Sequence, residues 1–154
     1  SGVFVNLEGR EQGGIVRPGE EYNRLLDELE RDLLALVDER NGNAPIGLVL
    51  KTREEFTGPH LELSPDLLVG YNRGYRYSWE SPLGEFSEEI IVDNDDPWSG
   101  DHTNDYRLVP GILLTNRQVS VENPGLADLT VSVLNEFGVA PLPEMIGQDV
   151  ISDR

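Results

Sequence analysis

Residues 15–42, IVRPGEEYNRLLDELERDLLALVDERNG, carry the pattern that decides the fold of this chain. Apolar residues recur there at spacings of three and four, which places them on one face of an α-helix. Pro18-Gly19 marks the start of the helix, Arg40 is expected in its last turn, and Asn41-Gly42 is expected to end it. The apolar face consists of Tyr22, Leu25, Leu26, Leu29, Leu33, Leu36 and Val37. We expect this face to lie in the hydrophobic core.

The segment after this helix, IGLVLKT at 46–52, is almost continuously apolar. Such strands are usually buried on both faces under helices, so a helix followed by this strand indicates the α/β class. Further strands are predicted at 3–7 (VFVNL), 64–72 (SPDLLVGYN) and 111–116 (GILLTN), with IIVD at 90–93 as another candidate. A second helix is predicted over 126–139, with Asp128 as its N-cap and Gly138 just beyond its end.

Length and composition narrow the classes of protein. A chain of 154 residues is most simply one domain, spanning 1–154, in which we interpret Ser1-Gly2 as a cloning remnant. The net charge of −17 excludes nucleic acid as a favoured partner, because that affinity depends on Lys and Arg. No apolar run is long enough to predict a membrane span, and the first residues do not resemble a signal peptide. Without cysteine, the chain has no thiolate ligands, and the compartment stays open.

Familiar catalytic motifs are missing from the sequence. There is no cysteine, no G-x-S-x-G and no P-loop, and neither His60 nor His102 has a convincing serine partner. The acidic run at 93–96 suggests calcium, but an EF-hand loop needs a glycine at its sixth position, where this chain has Trp98. A solvated acidic turn is the simpler interpretation of that run.

Two candidates for a functional site remain, each with a plainer alternative. His102 follows Asp101 in WSGDH, and an imidazole beside a carboxylate suits a metal site; the alternative is a surface histidine. Arg10 lies in the loop NLEGRE, where a guanidinium can bind a phosphate or carboxylate group; the alternative is a surface pair with Glu8 or Glu11.

Four segments taken in order resemble one protein family. They are FVNLEGREQGGIVRPGEEY, REEFTGPHLELSPDLLVGYNRGYRYSW, WSGDHTNDYRLVPGILLTN and LADLTVSVLNEFGVAPLPEMIGQDV. Together they resemble the predicted phosphohydrolase/phosphomutase branch of the alkaline phosphatase superfamily, near the type I phosphodiesterases and nucleotide pyrophosphatases. The resemblance covers nearly the whole chain. It implies an α/β/α sandwich around a mixed or mostly parallel sheet, of which this chain would be the C-terminal portion.

The resemblance also implies a two-metal active site, often with zinc and with manganese or magnesium as alternatives. A Thr or Ser nucleophile attacks phosphorus in that family, and the metal ligands run Asp, Asp, His, Asp, His and a last C-terminal His. His102 matches the last ligand. Asp101 is not a ligand in the pattern and would contact the His102 side chain without binding the metal itself. Arg10 lies in a segment typical of the branch, where substrate-phosphate binding is its implied role.

The expected function depends on the family's catalytic residues that we do not find in this sequence. The nucleophile and the other five ligands would lie upstream, so we expect the C-terminal part of a metal-dependent phosphohydrolase or phosphodiesterase, inactive on its own. Its partners would be a phosphate-ester small molecule and the missing N-terminal part. The segment 71–97 would help to select the substrate. Alternatives are a stand-alone binding module without catalysis, or an oligomer formed through surfaces that truncation exposes.

Overall fold

A computed structural model describes residues 1–85, 87–98 and 100–152. The chain forms two compact units, Ser1–Pro110 and Gly111–Arg154. The described helices and strands, in chain order, are β1 (Gly2–Val3), α1 (Glu20–Leu34), β2 (Ile46–Lys51), α2 (Thr52–Glu55), β3 (Leu67–Tyr71), β4 (Gln118–Val119), α3 (Leu126–Glu136) and β5 (Ile151–Ser152). The structure thus contains both helices and strands, which confirms the prediction at the level of a mixed helix-and-strand protein. No helix among the described residues is long and apolar enough to cross a membrane.

Helix α1 begins where the sequence predicts and ends earlier. Gly19 precedes it with a φ of 93°, a left-handed conformation that favours glycine. The helix stops at Leu34, so Arg40 lies beyond it rather than in its last turn. The reason is Asp38, whose carboxylate accepts hydrogen bonds from the backbone and side chain of Arg40 and from the side chain of Asn41. These bonds stabilise a turn in competition with the helix.

The sheet of the first unit has the strand order β1-β3-β2, and both pairings are antiparallel. Val49 of β2 lies opposite Val69 of β3. A mixed or mostly parallel sheet was expected, and the antiparallel pairing of these strands does not confirm it. The connection from β2 to β3 contains only the single helical turn α2 and one short 3₁₀ turn. The chain therefore reverses direction beside β2, without the long helical crossover that usually joins parallel strands.

The core of the first unit forms where α1 packs against this sheet. The apolar face predicted for the helix is largely confirmed, because Tyr22 and Leu26 are buried. Val37, which was assigned to the same face, is exposed because the helix has already ended. The buried core residues are Val5, Tyr22, Leu26, Ile46, Val49, Leu67 and Val69, with Leu25, Leu29, Leu33 and Leu36 packed against them.

The second unit is built around α3. Its N-cap is Gly125, not Asp128; Asp128 lies three residues into the helix and accepts the Gly125 N–H at 2.8 Å. Gly138 follows the helix with a φ of 67°, as predicted for a residue just beyond a helix end. Ser132 on the helix accepts the Val150 N–H at 2.8 Å, and β4 and β5 pair antiparallel.

Two predicted strands are not strands in the structure. Residues 90–93 and 111–116 have no strand assignment. In the second of these segments, Ile112 and Leu114 are 88% and 89% exposed. An apolar segment with this pattern becomes a strand only when a neighbouring strand accepts and donates its backbone hydrogen bonds, and the described residues provide no such neighbour for 111–114.

Candidate functional site

The segment that follows His102 is anchored at the carboxyl end of β3, and Ser99 of the WSGDH stretch lies outside the described residues. The backbone N–H of Tyr71, the last residue of β3, donates to the Thr103 carbonyl at 3.2 Å, and the Asp105 N–H donates to the Tyr71 carbonyl at 2.9 Å. These bonds form a parallel bridge between Tyr71 and Asn104. The residues directly after His102 are thus fixed to the end of β3. The loop that carries the histidine ends at this point.

His102 and Asp101 have opposite environments within this loop. The His102 side chain is 94% exposed and the Asp101 side chain only 7% exposed, with Nδ1 of the imidazole 3.8 Å from the carboxylate. One Asp101 oxygen accepts the Thr103 N–H at 3.0 Å. Burial opposes ionisation of Asp101, but hydrogen bonds from the Thr103 and His102 backbones lower its pKa overall. The pair thus presents an open imidazole backed by a fixed carboxylate.

A second set of hydrogen bonds, from Arg107 to Asp105, holds the residues after the loop, and no clear motif in the sequence indicates it. The buried carboxylate of Asp105 accepts hydrogen bonds from the Arg107 backbone and guanidinium, the shortest at 2.6 Å. The same guanidinium donates to the Gly47 carbonyl at 2.7 Å, which ties the loop to β2. The hydrogen bonds from Arg107 keep the pKa of Asp105 below its ordinary value. An Asp two residues before an Arg is a weak signal on its own, because such pairs are common on surfaces.

The described residues do not by themselves form a metal centre. Among them, no group of three His, Cys, Asp or Glu side chains lies close enough together to hold a metal ion. A zinc site needs at least three protein ligands, and here the open imidazole of His102 could supply one. An exposed imidazole fits the role of a last ligand, provided that the other ligands come from elsewhere.

Arg10 does not reach out as a free phosphate-binding arginine. Its Nη1 and Nη2 atoms donate to the two oxygens of Asp66 at 2.8 and 2.7 Å, and Nη2 also donates to the Val5 carbonyl at 2.8 Å. Its Nε donates to Glu11, the neighbour that a surface pair would use. The hydrogen bonds from Arg10 to Asp66 are the main cause of the raised pKa of the guanidinium. The described contacts of Arg10 are therefore structural.

Asp66 is the centre of this buried network. Besides Arg10, it accepts hydrogen bonds from the Val5 N–H at 2.6 Å and from the Tyr22 hydroxyl on α1. Burial of the Asp66 carboxylate opposes its ionisation, but the bonds from Arg10, Tyr22 and Val5 lower its pKa overall. The network joins the loop 5–11, helix α1 and the residue before β3. The sequence does not indicate this network, because Asp66 is one of many acidic residues in the chain.

The structure also describes the other residues that the sequence offered as candidates, His60 and the acidic run at 93–96. His60 is exposed at the start of a 3₁₀ turn, Leu61–Leu63. In the acidic run, Asp93 pairs with Arg40 at 2.9 Å, and Asn94 accepts the Asp96 N–H and donates to the Trp98 carbonyl. These contacts describe a hydrogen-bonded acidic turn.

Comparison of the chain with family models, with curated proteins and with solved structures found no match.

Proposed function

We propose that this chain is the C-terminal portion of a metal-dependent phosphohydrolase or phosphodiesterase similar to the alkaline phosphatase superfamily, and that His102 is its last metal ligand. The observation that carries the proposal is the position of His102. The imidazole is 94% exposed on a loop that is bound to the carboxyl end of β3. The loop therefore holds the imidazole at one end of the sheet, open to ligands that another part of the protein would supply.

The chemistry of the proposed site divides between this chain and residues upstream of it. Divalent metals, with zinc the first choice, would activate the nucleophile and stabilise the leaving oxygen of a phosphate ester. In this chain, His102 offers the imidazole, and Asp101 faces its Nδ1 from a buried position. The Thr or Ser nucleophile and the other ligands belong to the proposed upstream part. On its own, this chain would not turn over substrate by that mechanism.

Exposed apolar surface supports the same proposal. Val109, Ile112 and Leu114 lie mostly in solvent, and residues 111–114 make no backbone hydrogen bonds among the described residues. A stand-alone binding module would be expected to cover such a segment with its own structure, since large exposed apolar patches usually mark contact sites. In our proposal, 111–116 becomes a strand of the complete α/β/α sandwich when the upstream part supplies its neighbours.

The proposal is tested by extending the reading frame upstream. We expect the extended protein to hydrolyse p-nitrophenyl phosphate or bis-p-nitrophenyl phosphate with zinc or manganese, and the 154-residue chain to be inactive. His102→Ala should lower kcat/KM of the extended protein by orders of magnitude. His60→Ala is the matched control, because it removes the other histidine of this chain from an exposed position, and it should leave kcat/KM unchanged.

Other results would overturn the proposal. Robust turnover by the 154-residue chain, lost in His102→Ala, would show that the upstream part is not needed. An unchanged rate in His102→Ala of the extended protein would exclude His102 as a ligand. Light scattering on the 154-residue chain separates the alternatives, because a stable oligomer would indicate that copies of the chain cover the apolar surface instead.

A further inference from the structure

A groove separate from the His102 side chain lies between the turn after α1, the end of β3 and the segment 73–96. Its volume is about 1030 Å³, at the upper end of the range for small-molecule sites. We call it the aromatic groove, after four of its lining residues: Tyr71, Tyr75, Tyr77 and Trp79. These four residues line one groove, and their side chains have no part in the proposed metal site.

Trp79 is held in a fixed arrangement within the aromatic groove. The guanidinium carbon of Arg76 lies 5.1 Å from the centre of the Trp79 ring, within the range of a cation–π contact. Tyr77 contacts the same ring edge-on at 5.9 Å. The Trp79 side chain is nevertheless 48% exposed. Its indole is therefore oriented by neighbours and still open to a ligand.

Polar groups beside the rings include a donor without a partner. Nη2 of Arg76 donates to the Asn94 side chain at 3.3 Å, whereas Nη1 is buried and has no hydrogen-bond partner among the described residues. Because Nη1 is enclosed by the protein, the donors open to a ligand along the groove include those of Arg73, an exposed lining residue. Elsewhere in the lining, the Tyr75 hydroxyl donates to Asp38 at 3.0 Å, which fixes that ring.

Charge narrows the ligand class. Acidic side chains outnumber basic ones along the described lining of the groove, so a polyanion such as a nucleotide would be repelled. The Arg76 guanidinium lies 5.1 Å from the centre of the Trp79 ring, so an organic cation that approached this ring would meet a like charge. The acidic lining residues are Asp38, Glu80, Glu85, Glu89, Asp93, Asp95 and Asp96.

We propose that the aromatic groove binds neutral carbohydrate. A sugar ring has an apolar C–H face that packs on an aromatic ring, and hydroxyls that both donate and accept hydrogen bonds. Trp79 and Tyr77 offer the ring surface, the exposed Arg73 offers donors, and the carboxylates offer acceptors. The groove is large enough for several sugar residues. This binding needs no metal and goes beyond the proposed hydrolase function.

The proposal is tested on the 154-residue chain by calorimetric titration with maltohexaose, cellohexaose and mannohexaose, with ATP and spermine as charged comparisons. We expect at least one neutral hexasaccharide to bind and both charged compounds not to bind. Trp79→Ala should weaken binding about tenfold or more, and Trp79→Phe should weaken it less because an aromatic face remains. Trp98→Ala is the matched control, because Trp98 is 68% exposed and does not line the groove; it should bind as the unchanged chain does.

Two results would overturn the proposal. One is the absence of binding by all three hexasaccharides at millimolar concentration. The other is binding that is unchanged in Trp79→Ala. Circular dichroism of each variant checks that it is folded, and Trp79→Phe keeps the test decisive if Trp79→Ala does not fold. Because the assay contains neither metal nor phosphate ester, its outcome is independent of the proposed hydrolase activity.

Discussion

Gly70 lies directly against the backbone of Asp105. A β-carbon at position 70 would be 2.9 Å from the Asp105 Cα, closer than such atoms approach in proteins. Glycine in the interior of a strand often marks a place where another backbone comes close. Here that backbone is the end of the loop that carries His102, so Gly70 determines how near the loop can come to β3.

Gly70→Ala should therefore displace this loop and lower the free energy of unfolding by about 1–3 kcal/mol. Denaturant titration measures the loss, and the histidine ring signals of His102 in an NMR spectrum report the displacement. Gly100→Ala is the matched control in the same loop, because a β-carbon there meets nothing within 4 Å. Equal stability and equal His102 signals in both variants would contradict the role given to Gly70.

The Arg10–Asp66 pair should be important for stability. Removing one partner of a buried pair leaves the other charge uncompensated, at a cost of about 3–5 kcal/mol. Arg10→Ala should lower the free energy of unfolding by that order, as measured by urea titration. Arg17→Ala, at an arginine whose side chain is 81% exposed, is the control and should have little effect. A small loss of unfolding free energy in Arg10→Ala would contradict this stabilising role. Arg10 would then remain a candidate for binding substrate.

The parts of the fold that the sequence predicts well are those with a repeating apolar pattern. Leu26 and Val49 are buried as expected because their elements carry their own pattern over many residues. No repeating apolar pattern specifies whether two paired strands run parallel or antiparallel. A mixed or mostly parallel sheet was expected, whereas β1, β2 and β3 pair antiparallel. The strand predicted at 111–116 fails for a related reason, since an apolar run cannot show whether a neighbouring strand is present.

In the candidate site, too, contacts between residues close in the sequence were predictable, whereas contacts between distant residues were not. The exposure of His102 agrees with its place in a Gly-containing loop. The partner of Arg10 could not be predicted, because Asp66 is 56 residues away and resembles every other acid in an acidic chain. Glu11, the nearby partner, was predictable from sequence adjacency. Long-range polar contacts are specified by the fold, and a single sequence contains little trace of them.

Stability at acid pH should depend on Asp38. Hydrogen bonds from the Arg40 side chain are the largest cause that lowers the pKa of Asp38 from its ordinary 3.8 to about 2. A lowered folded-state pKa contributes stability that is fully present above pH 3.8 and is lost as the pH falls toward 2. Asp38→Asn should therefore flatten the fall of unfolding free energy over that range.

The measurement for Asp38 is urea titration at a series of pH values between neutral and strongly acid. Asp95→Asn serves as the control, because it removes the same charge from an exposed position in the acidic run. It should keep the acid dependence of the unchanged chain. If Asp38→Asn also keeps that dependence, the turn at residues 38–43 does not contribute to acid unfolding.

Zinc should bind the 154-residue chain weakly and through His102. Only one open imidazole is offered at the WSGDH loop, and among the described residues no group of three potential ligands surrounds it. A site with one ligand lacks the chelation that gives structural and catalytic zinc sites their affinity. We expect the His102 ring signals to shift gradually in an NMR titration with zinc, without saturating at an equimolar ratio.

The extended protein should behave differently in the same titration, because upstream ligands would complete the site. There the His102 signals should change to a bound form at stoichiometric zinc, and His60→Ala should not alter this change. Saturable binding by the 154-residue chain alone would show that its own residues complete the site. A contrary result would be that the phosphodiesterase activity of the extended protein requires the metal while zinc leaves the His102 ring signals unchanged. That result would exclude His102 as one of the proposed ligands.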